Sequence, residues 1–165
     1  KRFHRRIGFL FQNSDAQLFC TSVYDEIAFG PRQMGLGDDE VSQRVTDTLG
    51  LLGIAHLAER VPYHLSGGEK RKVALASVLS MNPDVLVLDE PMNGLDPKTK
   101  RFLRDFLRTI HLAGKTVVCA THDFEYVDGL FDSAAVFSND HGIVRKGPYA
   151  EIIGDRAFLE RENIV

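Results

Sequence analysis

Apolar residues along this chain fall into two patterns, short continuous runs and longer stretches with helical spacing. Arg6 to Phe11, Val85-Leu86-Val87-Leu88 and Thr116 to Ala120 are runs of the first kind and predict strands. The second has the composition of a parallel strand buried on both faces. Between the first two lies a section from Val23 to Met81 that breaks the strand–helix rhythm. There Val41, Val45, Leu49 and Leu52 recur at helical spacing behind Asp38, a candidate cap. Phe102, Leu103, Phe106, Leu107 and Ile110 form one face of a helix that Asp96 should cap, with Pro97 at its first position. A short helix near Phe124 to Leu130 follows. Strands Ala134 to Phe137 and Ile143 to Arg145 are joined through Ser138 to Gly142, and a last helix starts at Pro148 to Ile153. The alternation predicts an α/β fold around a parallel sheet, interrupted by a helical section.

Two places on this frame carry chemistry. Asp89 and Glu90 stand at the carboxyl end of the second strand, where open α/β sheets bind their ligands. Taken alone, Asp89-Glu90-Pro91 also has a plainer reading as a turn at a strand end. Ser66 and Glu69 have the spacing of a capping box, Ser66 as N-cap and Glu69 at the third helical position. A cap does not explain Gly67 and Gly68, since a glycine inside a helix costs about 1 kcal/mol relative to alanine. The pair implies a close approach to the backbone, and a helix N-terminus with free N–H groups favours an anion such as phosphate. Cap and anion site are compatible uses of one structure.

With the acids and the glycines both in view, the chain resembles the ABC-type ATPases over nearly its whole length. Leu65-Ser66-Gly67-Gly68-Glu69 is similar to their signature motif, and Val85 to Glu90 to their Walker B strand. Asn93-Gly94-Leu95-Asp96 resembles the D-loop, Thr121-His122-Asp123 the switch-histidine loop, and Phe11-Gln12 the Q-loop. Gln12 to Phe19, Ala28-Phe29-Gly30-Pro31 and Gly35-Leu36-Gly37 resemble, more narrowly, the ATPase subunits of energy-coupling-factor importers of cobalt, nickel or vitamins. Ser14 and Met92 depart from the usual residues of the pattern without touching a ligand-contacting position, and Glu69 replaces the more frequent Gln, a variant that keeps the helix cap.

The resemblance implies a P-loop NTPase-like parallel sheet with a helical subdomain over about 23–81 and a catalytic core from 1–22 and 82–165. It implies ATP and Mg2+ as ligands, with Asp89 holding the metal through water and Glu90 orienting or deprotonating the water that attacks the γ-phosphate. Gln12 would sense metal and nucleotide, and His122 would hydrogen-bond near the γ-phosphate. Ser66, Gly67 and Gly68 would meet the phosphate of a nucleotide held by a second ATPase subunit, identical or different, and Asp96 would link the two halves. Gln17 to Phe29 would receive a cytoplasmic helix of a transmembrane transporter subunit. The subunit would then sit peripherally on the cytoplasmic face of the membrane.

The family's phosphate loop, G-x-x-x-x-G-K-[ST] between a strand and a helix, has no match here. Gly114-Lys115-Thr116 comes nearest, but Thr109 takes the place of the first glycine and the flanking elements are reversed; Gly114 instead predicts a helix C-cap. The family's phosphate loop and its adenine-holding strands lie upstream of the Q-loop. The expectation is therefore a carboxyl-side portion of a nucleotide-binding domain, inactive by itself and with the N-terminal strands lacking.

Composition narrows the rest. With 165 residues and 44% hydrophobic content, one sizeable core is expected, and a net charge of −3 argues against a nucleic-acid partner held through its phosphates. The basic start, Lys1, Arg2, Arg5 and Arg6, precedes an apolar run too short for a signal peptide, and no stretch approaches the roughly 18 apolar residues of a membrane span. Cys20 and Cys119 occur in unrelated contexts, as expected of a reduced protein, and of the six histidines only His122 has a place in a motif. Two other functions fit the same motifs: a cytosolic ABC-type ATPase of translation or DNA repair, and a non-catalytic module that completes a partner's ATP site. The compact interval from Gln12 to Leu65 leaves no room for the long coiled coils of the repair proteins.

Overall fold

The computed structural model describes residues 6–138 and 140–164, without the side chains of Asp15 and Glu125. Lys1, Arg2 and Arg5 of the basic start, and Asn139, lie outside the described residues. The chain forms two compact units, divided after Ala120. The helical section expected over 23–81 lies wholly within the first.

In the first unit β1 (Ile7–Leu10), β2 (Val85–Asp89) and β3 (Thr116–Ala120) form a parallel sheet in the order β1-β2-β3. Ile7 pairs with Val85 and Val85 with Thr116, so β2 is central and its carboxyl end is flanked by both neighbours. The helices are α1 (Val23–Gln33), α2 (Asp38–Leu51), α3 (Gly67–Leu79) and α4 (Pro97–Leu112). One face of the sheet is built from Gly8, Leu10, Leu86 and Leu88, all buried. A Cβ at Gly8 would collide with Val78 of α3 and come within 3.0 Å of Pro83, so glycine lets the helix lie directly on β1. The Ser80 hydroxyl at the end of α3 donates to Ile27 O of α1, and Arg44 Nη1 of α2 donates to Ser80 O, tying the three helices together.

Burial of β2 on both faces is not what forms. Leu86 and Leu88 are buried, but Val85 and Val87 are only half-buried, and their neighbours on that face, Phe9 and Val118, are 44% and 49% exposed. The helices of the unit pack against one face, so alternation within an apolar run marks the covered side. A second difference concerns α2. Its N-cap is Gly37, without a side-chain hydrogen bond, and Asp38 is the first helical residue; Asp38, Asp39 and Glu40 instead place charge at the positive end of the helix dipole.

The second unit comprises α5 (Phe124–Val127), an antiparallel hairpin of β4 (Ser133–Phe137) and β5 (Ile143–Pro148), then α6 (Tyr149–Gly154) and α7 (Arg156–Arg161). Val136, Ile152, Phe158 and Leu159 make its core. The sequence pattern shows one terminal helix, whereas Asp155 ends α6 and accepts from Phe158 N to start α7.

Candidate functional site

The site assembles at the carboxyl ends of β1 and β2. β2 ends at Asp89, and the amide of Glu90 still bonds Ala120 O at 2.9 Å, so the ladder with β3 runs one residue past the strand. There the chain bends sharply: Glu90 has φ of +42°, a left-handed conformation that L side chains rarely adopt. Its carbonyl accepts from Asn93 N at 3.2 Å, closing the turn toward Asn93-Gly94-Leu95. Met92, where the family pattern has a small residue, is fully buried beneath that turn.

Asp96 caps α4 as expected. One carboxylate oxygen accepts from Lys98 N and Thr99 N at 2.9 and 3.0 Å, the other from the Thr99 hydroxyl at 2.6 Å, and these bonds, the Thr99 hydroxyl foremost, hold its pKa below the usual carboxylate value. The capping box at α3 also forms. Ser66 N and the Ser66 hydroxyl both donate to Glu69 Oε2, at 2.8 and 2.6 Å, and Glu69 N returns to Ser66 Oγ at 3.4 Å. These bonds to Ser66 lower the Glu69 pKa.

The paired glycines turn out to do different things. A Cβ on Gly68 would stand 3.1 Å from the Thr99 hydroxyl and 3.7 Å from Asp96 Oδ2, so Gly68 admits the start of α4. Gly67 faces open space. It lines a shallow cleft of about 140 Å³ together with Gln12, Ser14, Lys70, Asn93 and Gly94. The structure thus gathers the Q-loop, signature and D-loop segments around one cleft. His122, exposed two residues beyond β3, belongs to the second unit with Thr121 and Asp123.

Three residues to which pattern reading gives no role of their own organise these segments. Arg71, 3% exposed, donates Nη1 to Phe11 O at 2.6 Å and Nη2 to Glu90 O at 2.8 Å. Gln17 faces β1 as a strand would, accepting from Phe11 N and donating to Phe9 O, both at 3.3 Å. Glu26, buried in α1, accepts the Phe19 and Cys20 amides at 2.9 and 2.7 Å and so shapes the loop before that helix. Gln17 stands within the Gln12 to Phe19 motif and Glu26 within the 17–29 segment, neither with this task, and nothing local distinguishes Arg71 in the run Lys70-Arg71-Lys72.

That loop displays apolar surface. Phe19 and Phe29, 66% and 43% exposed, pack edge to face at 5.0 Å, and Leu18, Phe19, Val61, Pro62 and Tyr63 line a broad groove of about 630 Å³. Burial, then Glu26, pushes the Cys20 thiol up to about 11; burial, then Glu90 and Asp89, pushes the Cys119 thiol up to about 12. Both cysteines are free and neither carries a nucleophilic thiolate near neutral pH.

Residues 1–93 match the family model described as ABC transporter. An ABC transporter ATP-binding protein of Clostridium acetobutylicum is 59% identical over all 165 residues, which cover 68% of its length. The chain belongs to the ABC transporter ATPase family. The nickel import ATP-binding protein LarO of Lactiplantibacillus plantarum is 49% identical over 143 residues, 87% of this chain and 59% of LarO. Among solved structures, CbiO1 of Clostridium perfringens, part of the ABC transporter complex CbiONQ, superposes with a TM-score of 0.83 at 35% identity, over 99% of this chain and 65% of CbiO1. The chain thus spans about two thirds of the length of these relatives or somewhat less. Membership in the family establishes a P-loop NTPase fold and ATP as the ligand. Gly114-Lys115-Thr116 is no phosphate loop: Gly114, with φ of +86°, ends α4, and Thr116 opens β3.

No three acids, histidines or cysteines among the described residues form a metal cage. A single strand-end carboxylate nonetheless fits Mg2+, which keeps several waters and is bound through one or two carboxylates together with substrate phosphates. Among the described residues no helix is long and apolar enough to cross a membrane.

Proposed function

We propose that this chain is part of the ATP-hydrolysing subunit of an energy-coupling-factor-type importer, which takes up nickel, cobalt or a vitamin through a membrane partner. The observation that carries this reading is the cleft where Gln12, Gly67 and Asn93 meet beside the ends of β1 and β2. Relatives named for nickel import and as the energy-coupling factor protein EcfA give it its direction.

Phosphoryl transfer asks the protein mainly for positioning and neutralisation of charge. Asp89 would hold Mg2+ through water, and the bound metal would neutralise charge on the phosphates. Glu90, aimed by its left-handed bend, would orient and deprotonate the attacking water. Gln12 would contact the metal from the end of β1, and His122 would donate to the γ-phosphate side. The N–H groups at Gly67 and Gly68, with Ser66, would bind the phosphate of a nucleotide held by a second ATPase subunit. For that the Ser66 hydroxyl must turn from Glu69, to which it now donates. Asp96, locked to Thr99 beside Gly68, would carry the closing motion between subunits. Residues 23–81 would act as the helical subdomain, with 1–22 and 82–165 as the catalytic core. The groove at Phe19 and Tyr63 would seat a cytoplasmic helix of the transmembrane subunit, placing the protein on the cytoplasmic membrane face.

The test is ATP hydrolysis and MgATP binding by the product of the whole gene and by its Glu90→Gln variant. Binding retained with turnover abolished is expected, whereas full turnover by the variant would remove Glu90 from its role. Uptake of labelled nickel and cobalt by the complete transporter then decides the solute class.

A further inference from the structure

A guanidinium is an expensive group to bury, and where it is buried its partners show what it is for. Burial pulls the Arg71 pKa down while the charge of Asp89 opposes the shift. The two arms of Arg71 end on main-chain carbonyls, one in the peptide that leads into Gln12 and the other on Glu90 itself. Those carbonyls belong to segments 79 positions apart in sequence, at the carboxyl ends of adjacent strands. The Glu90 carbonyl sits on the residue with φ of +42°. A bend of that kind is strained and persists only where neighbouring groups hold it. Arg71 also lies one turn along α3 from Gly67 and Gly68, so all three project from the same side of the helix.

We propose that Arg71 is a positioning residue which clamps the backbones of Gln12 and Glu90 to the signature helix, so that α3 moves both groups as one. The inference rests on the function proposed above and adds to it a means of regulation. A phosphate engaged at the start of α3 would be felt at Glu90 and Gln12 through this rigid planar fork. Lysine keeps the charge and three donors but lacks the planar fork that meets the two carbonyls from separate nitrogens in fixed geometry. Methionine fills similar space and bridges neither.

The experiment compares wild type, Arg71→Lys and Arg71→Met in the product of the whole gene. It measures kcat and KM for MgATP, thermal stability, and amide hydrogen exchange in the nucleotide-free protein. A roughly 10- to 100-fold fall in kcat is expected for Arg71→Met, with KM changed far less and Arg71→Lys in between. Exchange should rise at residues 11–13 and 90–94 while β3 stays protected. Wild-type kcat and exchange in both variants would overturn the proposal. So would exchange rising across β3 as well, because Arg71 would then be merely structural. Wild type that neither binds nor hydrolyses ATP would instead overturn the proposed function, and Arg71's part in turnover with it; the exchange pattern would still decide whether the clamp exists.

Discussion

Ser66 Oγ accepts a hydrogen bond from the Glu69 amide and donates one to Glu69 Oε2, so Ser66→Ala removes a cap as well as a candidate phosphate ligand. A lost N-cap of this kind costs about 1 kcal/mol, and thermal unfolding of the variant should come correspondingly earlier. Gly68→Ala should act through Thr99, whose hydroxyl would have to yield a few tenths of an ångström and strain its bond to Asp96; Thr99→Ala in the same chain should relieve part of the loss. Glu69 and Asp96 both have folded pKa values below their ordinary 4.5 and 3.8. Carboxyls of this kind add stability above those values and lose it as pH falls through the lowered ones. Acidification below about pH 4 should therefore weaken the starts of α3 and α4, seen as a falling melting temperature. Cys119 works in the opposite direction. Its thiol, raised to about 12 from an ordinary 9.0, favours the fold below pH 9 and loses that advantage as pH rises toward 12. Alkylation of Cys119 in the folded protein should accordingly lag far behind that in the denatured chain at pH 9.

At the scale of elements, β2 is the member whose loss the sheet tolerates least, because it pairs on both edges and its Leu86 and Leu88 are buried. Leu88→Ala should cost about 2–5 kcal/mol, measured by denaturant unfolding. Strands and caps of this unit were legible because their signals are local: continuous apolar runs, Ser66 three residues before Glu69, Asp96 before Pro97. Gly37 could not be recognised as the cap of α2, since it makes no side-chain bond and stands beside an aspartate of higher capping propensity. Nor could an apolar run of four residues reveal that one face of β2 is only partly covered, because that depends on which side α3 lies. Gly8, which lets α3 approach, carries this information only once Val78 is known to face it.

Across the whole molecule, the candidate site was legible where a role resides in a residue type and illegible where it resides in a distant contact. Asp89, Glu90, Ser66 and Asp96 announced themselves; Arg71 and Glu26 did not, because their partners are main-chain groups that any sequence supplies. The docking proposed for the groove at Phe19 is testable in the same way: on that proposal Phe19→Asp, which leaves the buried core untouched, should abolish assembly with a membrane subunit while ATP binding by the whole-gene product persists, as pull-down and titration would show. One consequence follows from the register that joins Ile7 to Val85. β1 is made nearly eighty residues before the strand it pairs with, and at about 5–20 residues per second it waits on the order of 4–15 s during synthesis. Helices α1 to α3 close local contacts in that interval, whereas the parallel pairings span long loops and are slow to form. Gln17, which engages both Phe9 O and Phe11 N from only a few residues away, is available from the outset. It occupies the outer edge of the waiting strand, opposite groups such as Arg6 O that face β2, and so closes that edge to stray strands.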